Sequence, residues 1–485
     1  MTPSARLAAA ASVLDSIAHS RQPAEAVLKA WGAANRYAGS KDRRAVADRV
    51  YRVLRARGRL VWAMGGREDG RALVIGSLSL IDGLSLEDIE ALHAGDGYGP
   101  KPLSRQERAR ITAPAGELPG WVAAGLPEFV VEDFKTSFGD RWTEEARALM
   151  VPRAPIDLRV NAAKATVAEV EAELREAGLS PERTPWSAWG LRLASEPPPN
   201  VQALEAFKAG RIEIQDEGSQ IVCWLAGATP GMTVVDYCAG GGGKTLGLAQ
   251  ALGLGSKALP LEGGGLVGGE GTAAPWSPVD SEQVSSPSAS QPASTPTPDP
   301  LPLEGKGRLI AADVVQKRLD NIKPRLQRAG VTAELVQLGP NGGGVENLVG
   351  ESDVVFVDAP CSGSGTWRRR PEDAWRLKPE EVARMHTLQV RILAQAAKLV
   401  KPGGRLVFVT CSMLTGENEA SVDAFEEDHP DFRPLSIAEA TQAAALTPAG
   451  RDRLATLAAG GHRLRLSPAS AGTDGFFVAL YERGA

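Results

Sequence analysis

Three short stretches bring together residue types suited to group-transfer chemistry: VVDYCAGGGGKT (234–245), DAPCSGSGT (358–366) and VTCSMLTGENE (409–419). The first reads as a strand, a glycine turn and a helix start. Glycines let the backbone approach a ligand closely, and a helix N-terminus offers N–H groups without partners. Gly243-Lys244-Thr245 resembles the end of a phosphate loop, with DVVFVDAP (353–360) as the strand that would bring an acid to Mg²⁺. That pattern, however, requires glycine where Cys238 stands. The same N–H groups suit the carboxylate of S-adenosyl-L-methionine (AdoMet) equally well, so a nucleotide enzyme and an AdoMet enzyme both stay open here.

GRLIAADVVQKRL (307–319) ends a second strand-like run at Asp313. An acid in that position accepts hydrogen bonds from a ribose diol in dinucleotide sites, or simply caps the next helix. The third signal is a matched pair. Cys361 and Cys411 each lie just beyond an apolar run, one in Asp-Ala-Pro-Cys and one in Thr-Cys-Ser. A single cysteine in such a place is most often an inert core residue. Two at one sheet edge call for a chemical reason.

Positioning these residues needs strands that end together. From residue 216 onward, TVVDYC, GRLIAAD, DVVFVDAP and GRLVFVTC alternate with helical stretches, the pattern of a parallel sheet covered on both faces. Ligands of such sheets bind at the carboxyl ends of the strands. Residues 118–215 mix strand (PIDLRVN, RIEIQ) with an amphipathic helix (VAEVEAELREAG) and read as a small α/β domain. Residues 1–117 read as helical, with Val46, Val50, Val53 and Leu54 on one face of a basic helix. Within the third domain, 216–485, the stretch 252–307 is rich in Gly, Pro and Ser and has no period. Such composition predicts a disordered insertion with no part in the chemistry.

The formal net charge is −5, but its distribution matters more than its sum. Residues 252–307 hold two Lys against six Asp/Glu, whereas 36–59 hold nine Lys/Arg against two Asp. A near-neutral chain with one basic segment is compatible with a phosphate-rich partner or with a solvated helix face. No run of 18 or more apolar residues predicts a membrane span, and Asp15 and His19 interrupt the small apolar run at the start. Four widely spaced cysteines fit neither a disulfide framework nor a metal site, which points to a reducing cytoplasm.

Taken together, these blocks resemble the RsmB/Sun (NOP-type) RNA 5-methylcytosine methyltransferases. LPGWV (118–122), LRVNAAK (158–164), IQDEGSQIV (214–222), KPGGRLVFVTCS (401–412) and TDGFF (473–477) are similar to the family's other blocks. NRYAGSKDRRAVADRVYRVLR (35–55) looks like the NusB-related domain of bacterial members that modify 16S rRNA. The resemblance implies a class I, Rossmann-like AdoMet methyltransferase sheet, preceded by a small α/β RNA-binding domain and an all-α NusB-like domain. It implies Cys411 as nucleophile, Cys361 assisting product release, Asp358 pairing with the cytosine edge and Lys244 positioning substrate. Cofactor contacts carried over are Cys238, Ala239, Gly240, Gly241, Gly242, Gly243, Lys244, Asp313 and Asp358. RNA contacts carried over are Arg159 and Asn161. Trp367 and Arg368 to Arg370 read as a stacking and phosphate-pairing group or as a solvated loop. Implied partners are AdoMet and RNA, 16S rRNA in the first place, for a monomer without metal or membrane. Transfer RNA is the alternative substrate, and a non-catalytic RNA-binding assembly factor the alternative role. Two departures from the family stand out: Gly240-Gly241 replaces Ala-Pro, which predicts a looser turn, and LVQLGP (335–340) lacks the acid expected near adenine, leaving Gln337 or the backbone.

Overall fold

The computed structural model describes residues 1–95, 97–113, 116–196, 198–255 and 307–485. The expected insertion lies, from 256 to 306, outside the described residues. Its expected first residues do not behave as an insertion: Leu252 and Leu254 are buried in the core beneath the large sheet. Apolar side chains two apart reach that core after the helix Gly243–Ala251 has ended.

Residues 3–112 form seven helices among the described residues, from Pro3–Ala18 to Arg105–Thr112. Their apolar stripes converge on one core of Leu7, Val13, Leu14, Ile17, Val46, Val50 and neighbours. In the helix Ser40–Arg55 the predicted valine face is inside. Part of its basic face is already neutralised, since Arg49 and Arg52 both pair with Asp82 at 2.6 and 2.7 Å.

The next unit is a four-stranded antiparallel sheet. Its strands are β1 (Ile156–Val160), β2 (Glu182–Arg183), β3 (Gly190–Leu193) and β4 (Ile212–Ile214), in the order β2-β3-β1-β4. The helix Val167–Glu176 covers it, started by a capping box in which Thr166 and Glu169 satisfy each other's free N–H groups.

The large sheet holds β5 (Thr233–Asp236), β6 (Arg308–Asp313), β7 (Glu334–Gln337), β8 (Ser352–Asp358), β9 (Val400–Thr410), β10 (Phe432–Pro434), β11 (Arg463–Leu466) and β12 (Phe476–Arg483). Their order is β10-β12-β9-β8-β5-β6-β7, with β11 beside β12. Strands β5 to β9 pair in parallel, and β12 lies antiparallel to β9. Successive side chains feed opposite faces: Val234, Phe356, Val407 and Val409 enter one core, while Val235, Val355, Val357 and Phe408 enter the other. Burial on both faces explains why these strands read as continuous apolar runs. The chain leaves β5 toward β6 and β7, then returns on β5's other side as β8. The switch point therefore falls between β5 and β8, where Asp236 and Asp358 end their strands.

Candidate active site

Each chemical residue sits at a strand end on this edge. After β5 the chain turns through Gly240 and Gly242, with φ of +55° and +79°, a left-handed backbone that glycine adopts without strain. At Gly242 a Cβ would also lie 2.9 Å from Ile322. The turn is held by Asp313, whose Oδ2 accepts the Gly240 N–H at 3.0 Å and whose Oδ1 accepts the Val315 N–H at 2.8 Å. Arg325 donates to the Gly241 carbonyl and to Glu213 of β4. The looseness expected of Gly240-Gly241 is thus countered from outside the turn. Beside it opens a cleft of about 680 Å³ whose lining includes Tyr237, Cys238, Asp313, Val314, Gln337 and Leu338.

Thr245 settles the phosphate-loop question. In that reading its hydroxyl would meet Mg²⁺, but Thr245 is fully buried and donates to Asp236 at 2.6 Å. Burial pushes the Asp236 carboxyl up to about 7 despite that bond. Lys244 turns away from the cleft's turn as well. Its Nζ donates to Asp358 at 2.8 Å and lies 5.2 Å from the Phe476 ring centroid. Burial alone would depress this ammonium, but Asp358 and the Cys411 sulfur outweigh it and raise its pKa.

Beside that pair the two thiols meet, with Sγ of Cys361 3.5 Å from Sγ of Cys411. The hydrogen bond between them favours thiolate on Cys411 and holds Cys361 well above the ordinary thiol value. Lys244 favours the same assignment, against burial, Asp358 and Glu417. Cys223 and Cys238 differ: burial pushes Cys223 up to about 12 and Cys238 well above the ordinary thiol value.

The loops carrying the thiols are cross-tied. Gly365 N–H donates to the Cys411 carbonyl at 2.9 Å, and Asn418 Nδ2 to the Ser412 carbonyl at 2.9 Å. Glu417 accepts from Ser362 N–H at 2.6 Å and from the hydroxyls of Ser362 and Ser412. Glu417, Asn418 and Phe476 went unread as site residues. They lie within quoted blocks, but nothing in their types or spacing distinguishes them from helix or strand residues.

Three expected RNA contacts are placed elsewhere. Arg159 is buried on β1, where Nε donates to Gln215 at 2.7 Å and Nη1 to Gln250. Asn161 is buried too, its amide spent on the carbonyls of Gly210 and Ala329. Arg368 pairs with Asp474 at 2.5 Å and Asp216 at 3.2 Å, and Arg369 pairs with the same two acids. Trp367 is 0% exposed and packs with Phe134, Met413 and Leu414 rather than facing a base. Arg159 and Asn161 were expected at RNA from the resemblance alone, and Trp367 with Arg368 from an aromatic beside positive charge, signals that say nothing of partners distant in sequence.

The helical region closes the site from the other side. Trp375 Nε1 donates to the Leu54 carbonyl at 2.9 Å, Arg376 to Ile17 O at 2.8 Å, and Glu372 accepts Ala24 N–H at 2.8 Å. Between them lies a cleft of about 730 Å³, bordered by Arg21, Arg57, Arg376, Lys378 and Arg384 and reaching Cys361. Among the described residues no group of three or more His, Cys, Asp or Glu could hold a metal, and no helix is long and apolar enough to cross a membrane.

The chain is similar to known methyltransferases. The 16S rRNA methyltransferase RsmB/F model matches residues 300–482, and the RsmF/B-like ferredoxin-like domain model matches 126–200. A probable ribosomal RNA small subunit methyltransferase B from Bacillus subtilis is 28% identical over 355 residues, 73% of this chain and 65% of that protein. Its counterpart from Synechocystis is 28% identical over 64% of this chain and 58% of that protein. The chain therefore spans about three fifths of the relatives it matches. The crystal structure of a methyltransferase homolog protein from Pyrococcus horikoshii superposes with a TM-score of 0.52 at 24% identity, covering 75% of this chain and 97% of that one. The fold is that of solved methyltransferases, and over the two matched regions the chain is similar to the RsmB/F methyltransferases.

Proposed function

We propose that this chain transfers a methyl group from AdoMet to carbon 5 of a cytosine in RNA, small-subunit ribosomal RNA being the substrate. The observation that carries the reading is the pair of sulfurs 3.5 Å apart beside the Lys244–Asp358 ion pair, at the end of the glycine turn. Fit to the donor rests on that turn and on the adjoining cleft of about 680 Å³, a size suited to a nucleoside with an amino-acid arm. Residues 238–244, Asp313 and Asp358 would hold it, with Val314, Gln337 and Leu338 at the adenine. When bound, AdoMet supplies an electrophilic methyl group.

Carbon 5 of cytosine is a poor nucleophile, and the thiols answer that difficulty. Cys411 Sγ, as thiolate, adds to carbon 6, and the electrons of the C5–C6 double bond move to carbon 5. Asp358, oriented by Lys244, accepts from the exocyclic amine and, once N3 has taken a proton from solvent, from N3–H, which favours this polarised state. After methylation the carbon 5 proton leaves, its electron pair restores the C5–C6 double bond, and the Cys411–C6 bond breaks to return the thiolate. Cys361 assists that release from 3.5 Å away. A stacked base hides carbon 6, so the target is unpaired or flipped out. The cleft leading to Cys361 is of mixed charge, with Arg57 and Arg376 paired to Glu68 and Asp373. Arg21, Lys378 and Arg384 are the cations on its rim that would meet phosphates of such a strand. The relatives' names support ribosomal RNA over other RNAs.

The test is methyl transfer from labelled AdoMet to small-subunit ribosomal RNA, free and in its particle, followed by bisulfite sequencing. Label at one protected cytosine is expected. Label confined to transfer RNA would change the substrate, and no label in any RNA would end the proposal.

A further inference from the structure

Glu417 is fully buried and has no part in the chemistry just described. It touches neither the glycine turn nor the Lys244–Asp358 pair, yet it is the point where the two thiol loops are joined. Its Oε1 accepts the Ser362 N–H at 2.6 Å, and its Oε2 accepts the hydroxyls of Ser362 and Ser412. Those serines directly follow Cys361 and Cys411. A second tie runs through Ser364, whose hydroxyl lies 3.1 Å from that of Ser412 and accepts the Met413 N–H at 2.8 Å. One carboxylate thereby spans the gap between the ends of β8 and β9.

We propose that Glu417 is a positioning residue for the thiol pair: it clamps the Cys361 and Cys411 loops together, and its charge keeps the shared proton on Cys361. The inference rests on the thiol chemistry proposed above and adds to it the group that decides which sulfur is the nucleophile. The buried carboxylate takes the Ser362 amide directly and meets the Cys411 loop only through the Ser412 hydroxyl, while the Lys244 ammonium lies beside Cys411. An anion shared by the two loops and a cation beside only one sulfur polarise a pair that is otherwise chemically equivalent. Glu417 disfavours thiolate on both sulfurs, but on Cys411 the Lys244 ammonium outweighs it, whereas on Cys361 nothing of that kind opposes it. Burial raises the Glu417 carboxyl itself, against the three hydrogen bonds that it accepts.

Alkylation of the full-length protein by iodoacetamide, without RNA or AdoMet, reads the proton's place directly. Peptide mass spectrometry gives the ratio of modified Cys361 to modified Cys411. Wild type is expected to react first at Cys411. Glu417→Gln keeps an acceptor for the Ser362 amide but removes the charge, and the Cys361 share should rise at least about tenfold, one pKa unit of lost discrimination. Glu417→Asp keeps the charge while shortening the clamp, so it should still favour Cys411 while slowing methyl transfer. Equal labelling in wild type, an unchanged ratio in a folded Glu417→Gln, or the same shift in Glu417→Asp would each overturn the proposal. Because the ratio is read without substrate, it stands or falls separately from RNA methylation.

Discussion

Around Asp216, four charged side chains close on one another: Arg368 and Arg369 against Asp216 and Asp474, at 2.5 to 3.2 Å, three of them almost wholly inaccessible. Around Lys244, a similar density of charge is left partly open, with Lys244 side-chain exposure of 13% and Asp358 of 28%, and two thiols beside them. The first cluster joins the four-stranded sheet, the loop after Cys361 and the start of β12. The second reaches the arginine-bordered cleft through Cys361. Charge that is saturated by protein partners holds elements in register, whereas charge with spare coordination and a nucleophile next to it can act on a substrate. The comparison separates two groups that look alike in the sequence.

The largest effect expected of it is at Cys411. Cys411→Ala should lower methyl transfer by at least about a thousandfold, because the covalent route is lost and not merely slowed. AdoMet binding, measured calorimetrically, should stay within about threefold, since no contact to the glycine turn is removed. Turnover retained in this variant would remove the nucleophile assignment. Next is Cys361→Ala, which leaves addition intact but hinders release. A protein–RNA band resistant to denaturation should accumulate on gels, and normal turnover without such a band would make Cys361 structural.

How much of this was legible beforehand divides along the same line. Strand ends and the glycine turn were readable, because parallel strands buried on both faces give unbroken apolar runs that stop at polar residues. Thus Asp313, Asp358, Cys361 and Cys411 were located from their places alone. Arg159, Asn161 and Arg368 were misread as outward-facing. A basic residue carries no mark of whether an acid 105 or 152 positions away will meet it, as Asp474 and Asp216 meet Arg369 and Arg368. The same blindness hid Glu417, whose partners come from a loop 55 residues earlier. IQDEGSQ and TDGFF look chemically idle as sequence. Folded, they contribute the two acids of the saturated cluster.

A pH profile probes the open group. Cys411 is held below the ordinary thiol pKa, so kcat/KM should climb as pH rises through that lowered value and level off before about 8.5, where a free thiol titrates. Lys244→Met withdraws the neighbouring cation, leaves Asp358 acting against ionisation, and should move the rising limb to higher pH. The two thiols titrate as a pair, so the limb reports the pair's apparent value. A limb that stays in place would mean that Lys244 positions substrate without tuning the sulfur.

For the closed group the readout is stability. Arg368→Ala strands part of the charge on Asp474 and Asp216, and breaking a buried pair of this kind costs about 3 kcal/mol. The melting temperature should fall, while RNA affinity per folded molecule stays the same. An Arg368 that contacted RNA would give the reverse, weaker RNA binding at an unchanged melting temperature.

The smallest expected effect lies where the two kinds of region touch. Arg325, on the helix Gln316–Ala329, donates to the Gly241 carbonyl and pairs with Glu213 of β4 at 3.0 Å, and Arg328 pairs with the same acid. The glycine turn is therefore fastened to the small sheet through one guanidinium. With neither Ala nor Pro at 240–241, the turn's own stiffness is low, and Gly240 already occupies a left-handed conformation that an L side chain enters at a cost of about 1 kcal/mol. Arg325→Met keeps the stem's bulk and removes the donors. Side-chain exposure of 27% puts the bond at the weak end for a charged donor, about 1 kcal/mol. If that energy holds the turn ready for its ligand, AdoMet should bind about fivefold more weakly while the melting temperature scarcely moves. Unchanged binding would mean that the Asp313–Gly240 bond alone holds the turn, and that the saturated charges at this seam do nothing for the open site beside it.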